Sequence, residues 1–554
     1  MKWEEEGYTR KDEHGNMISI VRPSYPHEEY EDSQRATGAS RVMTKGDLKL
    51  YAICGVGFFL DSYDLFIINL VTPIWTYEYW GGLDKPPKKT PTYPLLLRGA
   101  VNAAANIGNI IGQLSFGFLG DAFGRKFVYG KEMIIMIVGV ILVISLPNHL
   151  KGPTRNKFWY LFGMRVLMGI GIGGDYPMSA SIVAERSSLR NRGRMLGWIF
   201  SNQGWGTLAG SIVTLIVLGC FSKALKHGEY SQLDAVWRIQ IGVALVPAFA
   251  TLYQRLTMPE SKKYLQSGEL SMLKTSSLSS SATTMEYTGK SAKAHTTDAD
   301  SNEISSQDRN ALFVEAHVAS PSRDVQMKTF MIYFSEWRHL KQLIGTASCW
   351  FFVDVAFYGL NLNQSVLLAA IGFSKGKTEY DTLLKNAYGN LIIAAAGYVP
   401  GYFLTIYFIE ILGRRWIQIQ GFLVCALMFG IIAGDYAHLG TAGKFVCFTI
   451  AQLFFNFGPN ATTFIVPGEL YPSRVRGFAH GISAATGKLG AILSGVLFNY
   501  LSSPGQIGVA NVLWIFFACN VAGAISTFFL VPETKGVDAD ALDFKECQEK
   551  VARM

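Results

Sequence analysis

The sequence predicts an all-α membrane protein in which twelve transmembrane helices form two pseudo-symmetric six-helix bundles. Three observations support this fold class. Only 17% of the 554 residues are charged, against about 25% in soluble proteins. Apolar runs long enough to cross a bilayer, which takes roughly 20 residues, recur along the chain. Short motifs at the helix ends occur once in each half, which indicates a duplicated unit.

Six apolar runs precede a long polar segment and six follow it. The first set lies at approximately 50–75, 96–120, 127–147, 158–184, 195–221 and 236–257. The second set lies at approximately 341–366, 386–409, 416–434, 443–468, 480–502 and 510–531. We therefore divide the chain into an N-terminal tail (1–48), a six-helix bundle (49–258), a linker (259–338), a second six-helix bundle (339–532) and a C-terminal tail (533–554).

The two halves repeat four short motifs in the same order and at the same helix ends. One match alone is weak evidence, but four in register predict two copies of one six-helix unit. The matches are Phe58–Asp61 with Phe351–Asp354, Asp121–Lys126 with Glu410–Arg415, Glu185 and Arg192-Gly193 with Glu469 and Arg476-Gly477, and Pro259–Lys262 with Pro532–Lys535.

Charge distribution predicts the orientation and argues against other classes of protein. The net charge is +8, but the basic residues crowd at helix ends and in short loops, so we expect a membrane protein and no nucleic-acid partner. Basic motif loops mark the cytosolic side, which places both termini and the linker there. The N-terminus has no apolar signal core. The polar tail and linker predict little regular structure, apart from one amphipathic helix near 330–337.

Cysteines and metal-ligand patterns give no catalytic signal. Six of the seven cysteines fall within apolar runs, where a thiol usually serves as a small apolar side chain. We identify no metal-ligand spacing and no disulfide framework. The sequence thus predicts no metal and no cofactor.

Ionisable residues inside predicted spans point to proton movement. A buried carboxyl costs free energy unless it is paired or used, and a carboxyl that shuttles between charged and neutral forms can carry a proton. Asp61 and Asp64 lie three residues apart on one helix face, so they can share or pass a proton; helix capping or ion pairing is the alternative. The candidate proton-coupling residues are Asp61, Asp64, Glu132, Arg165 and Asp175.

Glu132 and Arg165 also have a purely structural interpretation. They can form an ion pair between neighbouring spans, and Lys131 is a second possible partner of Glu132. For Asp175 we expect Lys488 to lie within reach.

A candidate anion site combines residues from both halves. Trp350, Asp354 and Tyr358 follow each other at intervals of four, on one stripe of a helix, where they can donate hydrogen bonds to an anion or simply pack. Under the repeat, Tyr176 corresponds to Asn460 and Gln203 lies near the position of Lys488. We expect these pairs to face each other across the pseudo-twofold axis. Membrane proteins built from repeated helical bundles bind their substrates at that axis. Interhelical hydrogen bonding is the alternative for Gln203 and Asn460.

Four charged residues in the repeated turns form a predicted gate. In each turn a carboxylate and an arginine flank a glycine, a pattern suited to joining helix ends when one side of the transporter is shut. The gate residues are Asp121, Arg125, Glu410 and Arg414. Anchoring the topology is the alternative role.

The motifs as a set resemble the major facilitator superfamily. Gly120-Asp-x-x-Gly-Arg-Lys126 follows the second span, and 173–177 reads Gly-Gly-Asp-Tyr-Pro. Together with Asp61-Ser-Tyr-Asp64 and the run from Asp354 to Asn361, this is similar to the phosphate:proton symporters of fungi and plants, over residues 50–535. Lys131 departs from that family's pattern, in which an apolar residue is usual.

The resemblance implies a function and a set of ligands. It assigns phosphate binding to Tyr176, Gln203, Trp350, Asp354, Tyr358 and Asn460, with Lys488 as counter-charge, paired with Asp175 or Asp354 when the site is empty. It also implies that Glu132 and Arg165 relay protons.

We therefore expect a secondary transporter of the plasma membrane that imports inorganic phosphate with protons and is not an enzyme. A monomer would suffice, and the oligomeric state stays open. The alternatives are a carrier of glycerophosphodiesters or other organic anions, and a receptor that signals phosphate.

Overall fold

The computed structural model describes residues 9–11, 17–19, 45–80, 93–147, 154–260, 323–503 and 505–553. Almost all of these residues are helical. The chain divides into two compact units, residues 1–48 and residues 49–554. In the first, Thr9–Lys11 and Met17–Ser19 pair as an antiparallel hairpin, a short regular element that the sequence does not predict. Most of the predicted tail and residues 261–322 of the predicted linker lie outside the described residues.

The N-terminal bundle contains six spans, labelled α1 to α6. Their bounds are α1 Lys45–Trp75, α2 Leu95–Phe123, α3 Lys131–Ile144, α4 Thr154–Arg186, α5 Arg192–Phe200 with Asn202–Cys220, and α6 Leu233–Gly242 with Leu245–Leu256. Short helical turns lie between them at Thr76–Trp80, Arg125–Val128, Leu189–Asn191, Ser222–Lys226 and Tyr230–Gln232.

The C-terminal bundle repeats this order as α7 to α12. The bounds are α7 Trp337–Asn361, α8 Glu379–Ile393 and Val399–Leu412 joined by a π-turn at Ala394–Tyr398, α9 Arg414–Gly434, α10 Thr441–Asn456 with Pro459–Leu470, α11 Arg476–Leu501, and α12 Gly508–Leu530. Gln364–Ala370 adds two turns after α7. Arg323–Phe334, here called the linker helix, begins earlier than the predicted one, and Ala539–Arg553 forms a C-terminal helix.

Within the described part of the chain, ten helices are long and apolar enough to cross a membrane. The two predicted spans outside this set are α2 and α10. α2 carries several buried asparagines and glycines, which lower its hydropathy. α10 is interrupted between Asn456 and Pro459, so neither half is long enough to count alone. Most residues of α2 and of the second half of α10 are buried.

Glycines let α2 and α4 approach closely. A Cβ at Gly169 would lie 2.0 Å from the carbonyl oxygen of Ala105, and one at Gly173 would lie 2.3 Å from that of Asn109. A non-glycine residue at either position would push the helices apart, the same logic that makes small residues common at membrane helix interfaces. The glycine-rich stretch of α4 is therefore a packing surface, and it holds Asp175 in the interior.

The two halves meet along two symmetry-related helix pairs. α2 packs against α11, and α5 packs against α8. Because α2 and α8 are equivalent under the repeat, as are α5 and α11, the interface follows the pseudo-twofold axis that the motifs predict. The central side chains described next lie along this interface.

Candidate substrate and proton-coupling site

A buried lysine lies at the centre of the candidate substrate site. The Nζ atom of Lys488 on α11 lies 2.9 Å from Oδ2 of Asp354 and donates to the hydroxyl of Tyr358 at 2.8 Å. It also lies 4.0 Å from the ring centroid of Tyr358 and 5.5 Å from that of Tyr176. Lys488 is 1% exposed, so its charge is compensated by the protein and not by water.

Trp350 completes the stripe on α7. Trp350, Asp354 and Tyr358 are all buried. A Cβ at Gly487, next to Lys488, would lie 2.4 Å from the Trp350 ring and 3.1 Å from Oδ2 of Asp354. Glycine is thus required at 487 for α7 and α11 to approach, and this approach brings the stripe to the lysine.

A second group of polar residues joins the halves. Oε1 of Gln203 accepts hydrogen bonds from the hydroxyl of Tyr402 at 2.5 Å and from Nδ2 of Asn460 at 3.1 Å. Nδ2 of Asn460 also lies 2.7 Å from the Tyr402 hydroxyl. Tyr402, on α8, is a residue that the sequence reasoning missed. No motif marks it, and the sequence shows only that it lies within the eighth span, which packs against α5.

The contacts differ from the predicted pairing across the axis. Gln203 binds Asn460, and Tyr176 lies beside Lys488. Each residue of the first half thus lies beside a member of the other predicted pair.

Asp175 pairs with a residue that the sequence reasoning did not single out. Nη2 of Arg255 on α6 lies 2.9 Å from Oδ2 of Asp175, and Nη1 lies 3.3 Å from Oε1 of Glu132. Of the two partners that the sequence left open for Lys488, the structure shows Asp354 and not Asp175. The expected ion pair between Glu132 and Arg165 is wrong, because Glu132 pairs with Arg255.

The two acids of α1 have separate surroundings. Asp64 lies within electrostatic range of Arg165, whose Nε donates to the carbonyl of Val101. Asp61 lies within range of Asp175 and Arg255. Lys131, the other possible partner of Glu132, lies instead over the ring of Phe127 at 3.4 Å. Asp61 and Asp64 thus have different neighbours, although they lie within electrostatic range of each other.

The predicted gate residues form ion networks at one end of the bundles, here called the motif end. Arg125 lies 3.0 Å from Asp121 and 2.9 Å from Glu185. In the other half, Arg414 lies 2.7 Å from both Glu410 and Glu469. From the sequence, Glu185 and Glu469 are only markers of the repeat, although their equivalent positions are a signal that they share a role.

The gate acids also bind the opposite half. Asp121 accepts backbone hydrogen bonds from Gly477 at 3.0 Å and from Phe478 at 2.8 Å, at the start of α11. Glu410 accepts one from Arg194 at 3.1 Å, at the start of α5. A carboxylate at a helix N-terminus satisfies free N–H groups and interacts favourably with the helix dipole. At the motif end, an acid of each half thus binds the start of a helix in the other half.

Neutral amides close the other end, here called the amide end. Nδ2 of Asn69 donates to Oδ1 of Asn390 at 2.7 Å, and Oδ1 of Asn69 accepts from the backbone N–H of Ser365 at 2.7 Å. Nearby, Nδ2 of Asn102 donates to the carbonyl of Leu362 at 3.0 Å. The sequence reasoning missed these residues because an asparagine in a span has no distinctive motif. With contacts at both ends, the central site lies enclosed between the halves.

The chain was compared with known families and structures. The family model described as sugar (and other) transporter matches residues 50–544. A Schizosaccharomyces pombe chain named as a candidate inorganic phosphate transporter is 53% identical, over 90% of this chain and 88% of that one. The inorganic phosphate transporter PHO84 of Saccharomyces cerevisiae is 39% identical, over 88% and 82%. The chain belongs to the inorganic phosphate transporter family of the major facilitator superfamily.

Solved structures agree on the fold. The proton:xylose symporter XylE superposes with a TM-score of 0.65 at 17% identity, covering 90% of this chain and 98% of that one. The predicted fold class, a multi-pass membrane transporter with twelve transmembrane helices in two bundles, is confirmed. The roles of the individual site residues stay predictions.

Proposed function

We propose that the chain imports inorganic phosphate together with protons by alternating access. The observation that carries the proposal is the buried Lys488, which Asp354 and Tyr358 bind in a site enclosed between the halves. Family membership favours phosphate as the substrate, since relatives from two yeasts are named as phosphate transporters.

The charge balance at Lys488 links an anion to a proton. With Asp354 ionised, the pair is neutral and an anion gains little by entering. If Asp354 takes up a proton, the lysine charge is left uncompensated in a buried site, and an anion that binds there restores neutrality. Proton and phosphate thus favour each other's binding, and this coupling is reciprocal. Protonated Asp354 can itself donate a hydrogen bond to a phosphate oxygen.

The other predicted ligands supply direction and shape. Trp350 and Tyr358 bring N–H and O–H donors, and Tyr176 covers the lysine from the first half. In this conformation Asn460 donates a hydrogen bond to Gln203. A bound phosphate would replace this bond by accepting hydrogen bonds from both side-chain amides. Such an exchange would tie substrate binding to the contact between the halves.

Several further properties belong to the proposal. The motif end faces the cytosol, together with both termini and the linker, and the protein works in the plasma membrane. No bond of the substrate is broken, so the protein is not an enzyme and needs no cofactor besides the transported protons. A monomer contains the whole site.

Transport in proteoliposomes tests the function. We expect uptake of radiolabelled phosphate that depends on an imposed pH gradient, acidic outside. Phosphate uptake that does not depend on the pH gradient would contradict proton coupling. If unlabelled glycerophosphodiesters reduce the uptake of label and unlabelled phosphate does not, an organic anion carrier would be favoured. Phosphate binding without flux would favour a receptor.

Asp354→Asn tests the site within the same assay. An amide cannot take up and release a proton, so the charge of Lys488 stays uncompensated throughout the cycle, and we expect uptake to fall at least about tenfold, as for loss of a general acid–base group. Asp435→Asn is the matched control, because Asp435 lies 57% exposed beside His438, outside the bundles' interior. Wild-type uptake by Asp354→Asn would remove Asp354 from the site.

A further inference from the structure

Arg255 is a buried arginine that binds both carboxylates and backbone carbonyls inside the N-terminal bundle. Its guanidinium binds Asp175 of α4 at 2.9 Å and Glu132 of α3 at 3.3 Å. It donates to the backbone carbonyls of Ile53 and Cys54 of α1 at 3.3 and 3.4 Å. One side chain of α6 therefore holds three other helices of its bundle.

The surroundings fix the position of this side chain. The guanidinium carbon lies 4.7 Å from the ring centroid of Tyr129, a distance typical of a cation–π contact. A Cβ at Gly57 would lie 1.7 Å from Nη2 of Arg255 and 2.0 Å from Oδ2 of Asp175. Glycine at 57 leaves the space in which the ion pair forms, so α1 is shaped around the pair.

The acids at this site outnumber the cation. Three carboxyls from three helices, those of Asp61, Glu132 and Asp175, lie within electrostatic range of the one guanidinium. Asp175 is further held by the hydroxyl of Ser179 at 2.6 Å, and Glu132 by the backbone N–H of Gly130 at 2.8 Å. The other ionisable groups of this site are the Tyr129 phenol and the Cys54 thiol, which contact each other, and Asp64, which lies within electrostatic range of Asp61.

Asp61 differs from its two neighbours. Asp175 and Glu132 have direct bonds to the arginine, whereas Oδ2 of Asp61 has no hydrogen-bond partner among the described residues. Asp61 also lies within electrostatic range of Tyr176 and Tyr358, which surround Lys488. It thus lies between the arginine and the candidate phosphate site.

We propose that Arg255 is a positioning residue of proton coupling: it binds Asp175 and Glu132 as a charge-compensated group and leaves Asp61 as the carboxyl of this cluster that exchanges a transported proton, in addition to Asp354 at the phosphate site. This inference rests on the proposed function. Removing the guanidinium leaves three buried carboxylates without a cation, and such groups become neutral by taking up protons. A carboxyl that is always protonated cannot release a proton, so coupling is lost while the phosphate ligands stay in place.

Three variants separate charge from packing. Arg255→Gln removes the charge, Arg255→Lys keeps it, and Arg255→Gln combined with Asp175→Asn removes one charge of each sign, so the group keeps its original net charge. Arg238→Gln is the matched control, since Arg238 is an α6 arginine that pairs with Asp234 of its own helix at 2.9 Å.

Uptake is measured as a function of external pH and of phosphate concentration, with proton flux recorded in parallel. For Arg255→Gln we expect the maximal rate to fall at least about tenfold and its pH dependence to flatten, with KM changed by less than about threefold. Arg255→Lys should keep the pH dependence, and the double variant should recover at least about tenfold in rate over Arg255→Gln, since the two groups are coupled. The control should behave like wild type.

The outcomes distinguish the two proposals. If wild-type protein shows no gradient-driven phosphate uptake, the proposed function fails. If wild-type uptake is gradient-driven and Arg255→Gln keeps the wild-type pH dependence and proton flux, only the role of Arg255 fails. A purely structural role would lower the yield of all three variants and leave the pH dependence of the remaining transport unchanged, which also overturns the inference.

Discussion

Asp121→Ala should open the motif end. The Asp121 carboxylate accepts two backbone hydrogen bonds from α11, at 3.0 and 2.8 Å, and pairs with Arg125 at 3.0 Å. Its side chain is fully buried, so water does not replace these bonds while the end is shut. In an open state the N–H groups would be hydrated, and the variant would therefore lose stability mainly in the closed state.

The magnitude follows from the number of bonds. A hydrogen bond to a charged group contributes about 1.5–3 kcal/mol, so two of them favour closure by about 3 kcal/mol at the lower bound, which is more than a hundredfold in the equilibrium. Among the described residues Glu410 accepts one such bond from the other half, at 3.1 Å, and Arg414 keeps Glu469 as a partner. Glu410→Ala should thus shift the equilibrium by only about tenfold.

Distances between spin labels measure this shift. Lys126 and Trp416 are exposed residues that follow the motif arginines of the two halves, so labels there report on separation of the motif end, once the cysteines that react with the label have been replaced. We expect a longer distance to dominate in Asp121→Ala and to be smaller in population in Glu410→Ala. Glu229→Ala, which removes an exposed acid, is the control. An unchanged distance distribution in Asp121→Ala, or a larger shift in Glu410→Ala, would refute the reasoning.

Two more predictions concern the amide end and the packing of α4. Asn69→Ala removes the hydrogen bonds to Asn390 and Ser365, each of which contributes about 1 kcal/mol. The distance between spin labels on the two halves at the amide end should therefore increase. The control is Asn511→Ala, which loses a bond to the carbonyl of Ile507 at the start of the same helix and should leave this distance unchanged. Gly173→Ala places a Cβ 2.3 Å from a backbone oxygen of α2 and should lower the free energy of unfolding by about 1–3 kcal/mol. The loss is measured as a lower midpoint of thermal unfolding in detergent. The control is Gly163→Ala on the same helix, where the new Cβ meets nothing within 4 Å, and an equal loss in that variant would contradict the packing argument.

The sequence alone determined the elements and their order. A bilayer demands apolar helices of a minimum length, and this demand is local, so the apolar runs located the spans. They include α2 and α10, which are not among the ten helices of the described residues that are long and apolar enough by themselves. Repeated motifs revealed the two bundles because equivalent turns need equivalent residues. The repeated turns singled out Asp121 and Glu410, which the structure places in ion pairs, and the role of Lys488 as the counter-charge of an anion stays a prediction.

Only the tertiary structure decided which residues are partners. Arg255 lies near the end of its span, where an arginine usually anchors a helix at the membrane surface, and nothing in its neighbourhood along the chain indicates Asp175. Whether a side chain reaches another depends on the rotation and crossing of helices that are far apart in sequence. The same reason explains Glu132, which turns towards α6 and away from Arg165, and Asn69, whose partners lie in the other half.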